Sequence, residues 1–353
     1  MRKFRLALAA AAIVGALAAG PAGARTQDDV YSVHDLVSDT ATSAPTTDSN
    51  LVNGWGLSAG PTTPWWTSNN GTNTTTLYNG SGAKQALTVA IPGGPTGTVF
   101  NGNASDFVVT QNGKTGSARF LFSTEAGTIL GWSSGVNAAT ALPGVDRSSQ
   151  GAVYKGLTTM NDRLYATDFH NGRVDVFDAS FNPVPLTAGF QDKKVPKGFA
   201  PFGIQALGGN IYVTYAKQDA AKKDDVAGPG AGYVDEFTPD GALVARVAVG
   251  GRKNAPPNAP WGLALAPSTF GGFSGDLLVG NFGNGRIAAY TTNAGKWVYK
   301  GELRKGDGTL ITLDGLWAIA FGNGAAAGPA DTLYFLSGPS GEKAGLLGSI
   351  TAG

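Results

Sequence analysis

Residues that could transfer protons or bind soft metals are scarce in this chain. Its 353 residues include two histidines, His34 and His170, and no cysteine, which excludes thiol nucleophiles, disulfides and thiolate metal sites. Two histidines are also too few for a multi-histidine zinc or copper centre. His170 follows Asp168 in the run Thr-Asp-Phe-His, and these two residues are the candidates for general-base chemistry. A lone loop histidine is more often a bystander than a catalyst, so the structural role is the alternative.

Oxygen ligands for a hard cation are better represented, because carboxylates and amides recur at matching points of the sequence. Such oxygens suit Ca²⁺ or another divalent cation. Asp and Asn at strand ends also bond to their own backbone in Asx turns, which is the structural alternative for each of them. The candidate metal ligands are Glu125, Asp168, Asn281 and Asp314.

An internal repeat of about fifty residues determines where these side chains would meet. Five of the six units open with a short run that contains glycine and an aromatic or aliphatic residue, and the weaker run at 105–109 has no glycine; each is followed by a turn and a second β-rich run. We place the opening runs at 53–58, 105–109, 154–158, 200–205, 259–264 and 314–319. The second runs are 65–68, 120–123, 164–167, 211–214, 277–280 and 333–336.

Six such units predict an all-β fold, a six-bladed β-propeller with about four antiparallel strands per blade. The 53 glycines fit a chain with many turns. A β-sandwich, the competing all-β fold, would not explain six similar units. The last unit lacks a fourth strand, so we expect the chain near residues 30–40 to complete the sixth blade and close the ring.

Propeller topology assigns the candidate residues to one mouth of the channel. The first strand of a blade lines the channel and the second runs antiparallel to it, so first-strand starts and second-strand ends share a face. Asp106 would also lie there. Trp-Gly pairs can equally pack blades together, which is the structural alternative. The candidate ligand-binding residues at this mouth are Asn53, Trp55, Phe202, Lys217, Trp261 and Trp317.

A long insertion at residues 215–232 interrupts the fourth unit. It is either a solvated loop or a lid over the mouth, with Gly228, Gly230 and Gly232 as hinges. Its Asp224-Asp225 pair could add carboxylates to a cation site.

The N-terminus predicts export. Arg2, Lys3 and Arg5 precede an apolar, alanine-rich run and the cleavage motif Ala22-Gly23-Ala24, so residues 1–24 are a predicted signal peptide. Residues 25–353 are then one secreted or periplasmic propeller domain, without a membrane anchor and expected to be monomeric. Cleavage removes three of the 26 Lys and Arg and none of the 25 Asp and Glu, which leaves a formal charge of 23 − 25 = −2. This balance excludes the basic surface typical of nucleic-acid binding.

Several strings resemble an uncharacterised family of exported, mostly bacterial propeller proteins over about residues 34–350. They are Leu-Val-Asn-Gly-Trp-Gly-Leu at 51–57, Ala-Pro-Phe-Gly-Ile-Gln-Ala-Leu-Gly-Gly at 200–209, Tyr-Val-Thr-Tyr-Ala-Lys-Gln-Asp at 212–219, Asp-Asp-Val-Ala-Gly-Pro-Gly at 224–230 and Asp-Gly-Leu-Trp at 314–317. That family usually has proline where this chain has Gly54. The resemblance implies fold and export and no particular activity. More distantly, the repeat is similar to NHL-type propellers and to calcium-dependent, gluconolactonase-type lactonases, at the level of fold alone.

Two functions remain open from the sequence, so whether the chain is an enzyme is undecided. The first is an exported protein that binds a small molecule, a carbohydrate or a cell-wall ligand at the channel mouth. The second is a divalent-metal-dependent hydrolase or lactonase at the same mouth, in which a bound cation polarises an ester carbonyl and Asp168 or His170 acts as base.

Overall fold

Six antiparallel sheets follow one another along the chain in the computed structural model, which describes residues 30–41 and 44–353. They form the six blades of a β-propeller, as the repeat predicts. The predicted signal peptide lies outside the described residues. Within them, no helix has the length and apolar character needed to cross a membrane.

The strands of the first three blades alternate with short turns. The chain begins with β1 (Tyr31–Ser38) and β2 (Thr46–Thr47), and blade 1 comprises β3 (Gly54–Ser58), β4 (Trp65–Asn69), β5 (Thr74–Tyr78) and β6 (Lys84–Ala90). Blade 2 comprises β7 (Pro95–Phe100), an inserted hairpin of β8 (Val108–Gln111) and β9 (Lys114–Ser117), then β10 (Phe120–Thr124), β11 (Thr128–Trp132) and β12 (Leu142–Asp146). Blade 3 comprises β13 (Tyr154–Met160), β14 (Arg163–Asp168) and β15 (Arg173–Phe177).

The last three blades complete the ring. Blade 4 comprises β16 (Phe199–Leu207), β17 (Asn210–Lys217), β18 (Gly232–Phe237) and β19 (Leu243–Val249). Blade 5 comprises β20 (Pro260–Leu265), β21 (Leu277–Asn281), β22 (Arg286–Asn293) and β23 (Lys296–Glu302), and blade 6 adds β24 (Leu316–Phe321), β25 (Leu333–Ser337) and β26 (Leu346–Ala352). Single helical turns occur at Asn70–Thr72, Ser148–Gln150, Gly271–Phe273 and Pro339–Glu342.

The N-terminal strand closes the ring, which confirms the predicted closure. Strand β1 pairs antiparallel with β26 from Tyr31 opposite Ala352 to Ser38 opposite Leu346. It is therefore the fourth strand of blade 6, joined to three strands from the other end of the chain. Val37, at the end of β1, is fully buried against Leu336 and Leu347 of those strands. The closure thus combines backbone pairing with apolar packing.

Every first strand carries a one-residue bulge at the same place. In blade 1, Gly54 pairs with Asn69 and Leu57 with Thr67, so three steps on β3 oppose two on β4. The other five blades repeat this offset. A bulge bends its strand and re-aims the side chains within it. The bulged pairs are Trp55-Gly56, Thr96-Gly97, Lys155-Gly156, Phe202-Gly203, Trp261-Gly262 and Trp317-Ala318.

The bulged glycines allow neighbouring blades to touch through their backbones. A Cβ added at Gly203 would lie 2.2 Å from the carbonyl oxygen of Trp261 in the next blade. A Cβ at Gly97 would lie 2.6 Å from the nitrogen of Leu157, and one at Gly156 would lie 2.7 Å from the nitrogen of Ile204. No real side chain is accommodated at such distances, so glycine is required here for close approach.

The second repeat unit was wrongly placed. Its first strand is β7, and residues 105–109, assigned to that strand from sequence, lie instead at the start of the inserted hairpin. Asp106 therefore follows the end of the first strand and lies beside Asp162, in the turn between β13 and β14. It belongs to the face opposite the predicted mouth. Phe107 explains the error, because an aromatic residue near that position resembles the aromatic residues of the true first strands.

Blade 3 also departs from the expected four strands. After β15, residues 178–198 run beside that strand without joining its sheet, apart from the bridge between Phe177 and Pro183 and the bond from Val184 N to Val176 O. Pro183, Pro185 and Pro196 lack the amide hydrogens that a fourth strand would donate.

Substitution Gly203→Ala should destabilise the fold strongly, by about 3 kcal/mol or more, because the added Cβ would overlap the backbone of the next blade. Gly135→Ala is the matched control, since a Cβ there meets no atom within 4 Å. Urea unfolding followed by tryptophan fluorescence measures both. Equal midpoints for the two variants would contradict a steric role for Gly203.

Deleting residues 25–42 should sharply lower the melting temperature, because it removes the strand that completes blade 6 and exposes the edge of β26. Differential scanning calorimetry of the full chain and the shortened chain tests this. An unchanged melting temperature would mean that the ring does not depend on β1.

Candidate functional site at the channel mouth

The first residue of each bulged pair points its side chain towards the channel axis. In blade 6 this residue, Trp317, is followed by Ala318 instead of glycine. Four of these six first residues are aromatic and pack against each other: Trp55 stacks on Trp317 with ring centroids 3.6 Å apart, and Trp261 meets Trp55 edge-on at 5.2 Å. Phe202 meets Trp261 edge-on at 5.0 Å. Because all four are at most 6% exposed, they plug this end of the channel. We call Trp55, Phe202, Trp261 and Trp317 the aromatic plug.

The aromatic plug closes the channel to ligands. Beyond it, the space lined by the bulged glycines amounts to only about 50 Å³, whereas small-molecule sites usually hold about 300 Å³ or more. The sequence analysis offered these aromatic residues as ligand-binding candidates. The structure places them in packing contacts with each other, which is the alternative considered for the Trp-Gly pairs.

In blade 3 the equivalent side chain is a lysine, which the sequence analysis did not single out. Lys155 is fully buried, and its ammonium lies 4.5 Å from the ring centroid of Trp55. Its Nζ donates to Glu125 Oε1 at 2.7 Å and contacts Asp224 Oδ1 at 3.3 Å. A buried ammonium is tolerated only when it is paired in this way.

Four carboxyl groups surround this single lysine. Glu125 also accepts a hydrogen bond from Asn70 Nδ2 at 3.1 Å, and Glu342 accepts one from Asn53 Nδ2 at 2.8 Å. Asp225 lies within electrostatic range of both Lys155 and Glu342. We call Glu125, Lys155, Asp224, Asp225 and Glu342 the mouth cluster. Its formal charge with all groups ionised is +1 − 4 = −3, and Lys223 of the lid loop also lies within electrostatic range of Glu125, so the cluster and this lysine together carry a charge of −2.

The charge deficit shows in the titration of its carboxyl groups. Burial raises the pKa of Asp225 to about 7, with Lys155 opposing the shift and Glu342 adding to it. Burial also raises the pKa of Glu342, against the hydrogen bond from Asn53 and together with the charge of Asp224. Burial acts on Glu125 in the same direction, but the bonded Lys155 ammonium outweighs it and lowers that pKa. Lys155 therefore neutralises Glu125 and leaves Asp225 and Glu342 under-compensated.

Asn53 links the mouth cluster to the aromatic plug. Its Oδ1 accepts a hydrogen bond from Trp317 Nε1 at 2.9 Å, while its Nδ2 donates to Glu342. Asn53 has a positive φ of 49°, a conformation that asparagine tolerates better than most residues. This predicted ligand-binding residue is thus a positioning residue at the mouth, with both ends of its amide bonded.

The long insertion covers the cluster, as expected for a lid. Its tip residue Asp224 contacts Lys155. A backbone hydrogen bond from Val226 N to Lys217 O joins the two sides of the loop. The last part of the loop is packed closely: a Cβ at Gly230 would lie 2.3 Å from Arg252 O, and one at Gly232 would lie 2.3 Å from Pro260 Cδ. These two glycines serve close packing, so any hinge lies nearer the tip. Lys217 is exposed at its base.

The predicted metal ligands do not come together. Asp168 is fully buried and accepts bonds from the backbone nitrogens of Val153 and Asn171 and from Asn171 Nδ2. Asn281 accepts from Asn258 N, and Asp314 accepts from Ser340 N. Only Glu125 lies in the mouth cluster. Across residues 30–41 and 44–353, no group of three or more His, Cys, Asp or Glu side chains is arranged to hold a metal.

The two catalytic candidates, Asp168 and His170, make separate contacts and do not form a pair. Asp168 turns its carboxylate to the backbone, as an Asx turn does, and its remaining ion pair is with Arg173 at 3.4 Å. His170 is half-buried, and its ring lies near Gly151. A bond from Gln218 Nε2 to the carbonyl oxygen of Phe169 ties this turn to the lid. Asp168 therefore holds the β14–β15 turn in place and does not orient His170 as a base.

Comparison of solved structures agrees with the propeller fold. The chain resembles a Bacteroides thetaiotaomicron protein of unknown function (TM-score 0.58, 11% identity, 91% of this chain and 75% of that chain). It also resembles virginiamycin B lyase from Staphylococcus aureus (TM-score 0.53, 10% identity, 91% and 99%) and soluble aldose sugar dehydrogenase from Escherichia coli (TM-score 0.53, 13% identity, 92% and 100%). At these identities the likeness concerns the fold alone.

Sequence relatives come from Acanthamoeba polyphaga mimivirus. Uncharacterized protein R648 is 30% identical over 85% of this chain and 76% of its own length, and uncharacterized protein L690 is 31% identical over 85% and 81%. The chain belongs to the family that includes these two proteins. Uncharacterized protein R640 is 33% identical over 64% of this chain, and the match spans 42% of that longer relative.

No protein-family model matches the chain. The resemblance to an exported, mostly bacterial family is therefore not confirmed, since the relatives found are viral proteins. The broader resemblance to propeller proteins stands on the solved structures.

Substitution Asp225→Asn should stabilise the protein increasingly as the pH rises. In the wild type the pKa of Asp225 is about 7 in the folded state and near 4 in the unfolded chain. As the pH rises from 4 to 7, the unfolded chain loses the proton first, so the folded state loses stability relative to it. The variant has no such proton to lose. Melting temperatures at pH 5 and pH 8 should show the difference, variant minus wild type, growing with pH. A difference that is constant or shrinks would contradict the charge deficit.

Proposed function

We propose that this chain is an exported ligand-binding propeller whose mouth cluster takes a small molecule bearing an organic cation, such as a primary ammonium group. One observation carries the proposal: Asp225 Oδ2 is buried in the cluster without a hydrogen-bond partner. A buried carboxylate oxygen without a donor is costly, and an ammonium would supply the donors and the charge together.

The surroundings suit the same ligand. Trp55 and Trp317 lie beneath the cluster and form its apolar floor, with their faces covered by each other, by Lys155 and by Phe282. The site therefore combines surplus negative charge with apolar walls, which favours an alkylammonium over a fully hydrated metal ion.

The lid allows entry to the site. Asp224 is 59% exposed and is tied to the axis through Lys155 at 3.3 Å. Lys155 keeps its ion pair with Glu125 when the tip moves away, so the buried ammonium is not left unpaired. The ligand would enter from the mouth face and be covered when the tip returns. A ligand of this class could belong to a free small molecule or to a cell-wall component with an amino group.

The metal-dependent hydrolase remains the second candidate from sequence, but three of its four ligands accept hydrogen bonds from backbone nitrogens. The structure offers it Glu125 alone from that set, and this carboxylate is already paired with Lys155. Calcium binding stays a prediction that the same experiment addresses.

Thermal melts in millimolar butylammonium chloride, calcium chloride or sodium butyrate, at constant ionic strength, test the proposal. Butylammonium should raise the melting temperature of the wild type, because a ligand that binds the folded state stabilises it. The shift should vanish in the double variant Asp225→Asn, Glu342→Gln. It should persist in Asp331→Asn, an exposed carboxyl before β25 and remote from the mouth cluster.

Stabilisation by calcium without butylammonium would overturn the organic-cation proposal in favour of the metal site. Stabilisation by butyrate alone would overturn it in favour of an anion that binds Lys155. No shift with any of the three salts, or a butylammonium shift that survives the double variant, would overturn it as well.

A further inference from the structure

A second cavity lies on the same face, at the outer rim of blade 5. It has a volume of about 430 Å³, which is within the range of small-molecule sites. Strands β22 and β23 form one wall, the connection from blade 4 forms another, and Pro229 of the lid loop forms its edge. We call this the rim pocket. It is larger than the space left in the channel.

One wall of the rim pocket is a half-exposed aromatic ring. Tyr299 on β23 is 47% exposed, so part of its ring is accessible to a ligand in the pocket. Its ring is held edge-on by buried Tyr290 at 5.8 Å, and the two residues pair across β22 and β23. The ring is therefore a fixed apolar surface exposed to solvent.

Opposite groups in the pocket offer both donors and acceptors. Arg286 Nη1 and Glu302 Oε2 are 3.7 Å apart, too far for a hydrogen bond, so each retains capacity for a further partner. Asn258 is 6% exposed, and its Oδ1 accepts a hydrogen bond from Gly228 N. Its amide is thereby fixed, with Nδ2 left to donate. Lys253, Asn254 and Asn284 complete the polar lining.

We infer that the rim pocket binds a neutral saccharide, with Tyr299 stacked on the apolar face of one sugar ring. A pyranose presents C–H groups on its face and adjacent hydroxyls at its edge, and each hydroxyl both donates and accepts. Glu302 accepts from one hydroxyl while Arg286 donates to its neighbour, which fills the gap between the two charges. Planar amide, carboxylate and guanidinium groups match such adjacent hydroxyls better than a single charge does.

The pocket is independent of the mouth cluster. Its lining residues come from blade 5, the preceding connection and the end of the lid loop, and they include no member of the mouth cluster. A saccharide at the rim and a cation at the mouth would both be covered by the 217–231 loop, which borders each site through Pro229 and Asp224. The two proposals can thus fail separately.

Isothermal titration with maltotriose, cellotriose and N,N′,N″-triacetylchitotriose, all neutral, tests the inference on the full chain. These probes differ in linkage and substituents but share the stacked face and edge hydroxyls. At least one should bind with a dissociation constant in the micromolar to millimolar range. Tyr299→Ala should weaken that binding by about tenfold, the loss expected when an aromatic contact is removed. Glu302→Gln should weaken it while leaving the melting temperature nearly unchanged.

Two controls make the result specific. Val298→Ala alters the neighbouring exposed residue of β23, and Asp225→Asn alters the mouth cluster; both should bind the saccharide as the wild type does. Inorganic phosphate is titrated in parallel, because Arg286 and Lys253 could attract an anion. Binding of phosphate without any of the three saccharides would overturn the inference. So would the absence of saccharide binding, or saccharide binding that is equal in the wild type and Tyr299→Ala.

Discussion

The approach of neighbouring blades at the bulged glycines is the contact on which the rest of this propeller depends. Where a Cβ would lie 2.2 to 2.7 Å from the next blade's backbone, glycine brings the first strands together around the axis. The bulge turns the preceding side chain inward. One residue per blade therefore fills the axis, and the identity of these six residues decides whether the channel is open, plugged or charged. In this chain four of them are aromatic and plug it.

Lys155 is the exception that gives the mouth its chemistry. A lysine at an axis position has no access to bulk water, so the fold supplies Glu125 from blade 2 and Asp224 from the lid loop as its partners. Asp225 and Glu342 lie beside these partners, so the negative charge of the four carboxyl groups exceeds what one ammonium can neutralise. The same constraint that builds the ring thus leads to an anionic recess above an aromatic floor. Ring closure by β1 holds blade 6, and with it Glu342, against blade 1.

Much of the fold could be predicted from the sequence, because the repeated glycine or alanine of each unit marks the place where neighbouring first strands touch at the axis. The residues around Trp55, Phe202, Trp261 and Trp317 align through their glycine or alanine, and a second β-rich strand follows each of them. The first strand of blade 2 was not recognised because Thr96-Gly97-Thr98 has the glycine but no aromatic residue. A search for the glycine rather than for the aromatic would have found it.

The site was harder to predict than the fold. Glu125 and the Asp224-Asp225 pair lie at the predicted mouth of the channel. Asp168, Asn281 and Asp314 instead accept hydrogen bonds from backbone nitrogens. Sequence alone does not show which way a polar side chain at a strand end turns. Lys155 was missed because lysine is rarely buried, although its alignment with the axis aromatics was visible. Glu342 lies 289 residues from Asn53, its hydrogen-bond partner, and no local pattern marks it.

The central claim is that the mouth cluster is short of positive charge and that a cationic ligand supplies it. Carbon-13 NMR titration of the Asp225 carboxyl, assigned by comparison with Asp225→Asn, measures that deficit directly. The account predicts a midpoint near 7 in the free protein, moving to lower pH when butylammonium is added, because a bound cation favours the ionised form. A midpoint near 4 without ligand, or one that butylammonium leaves in place, would contradict it.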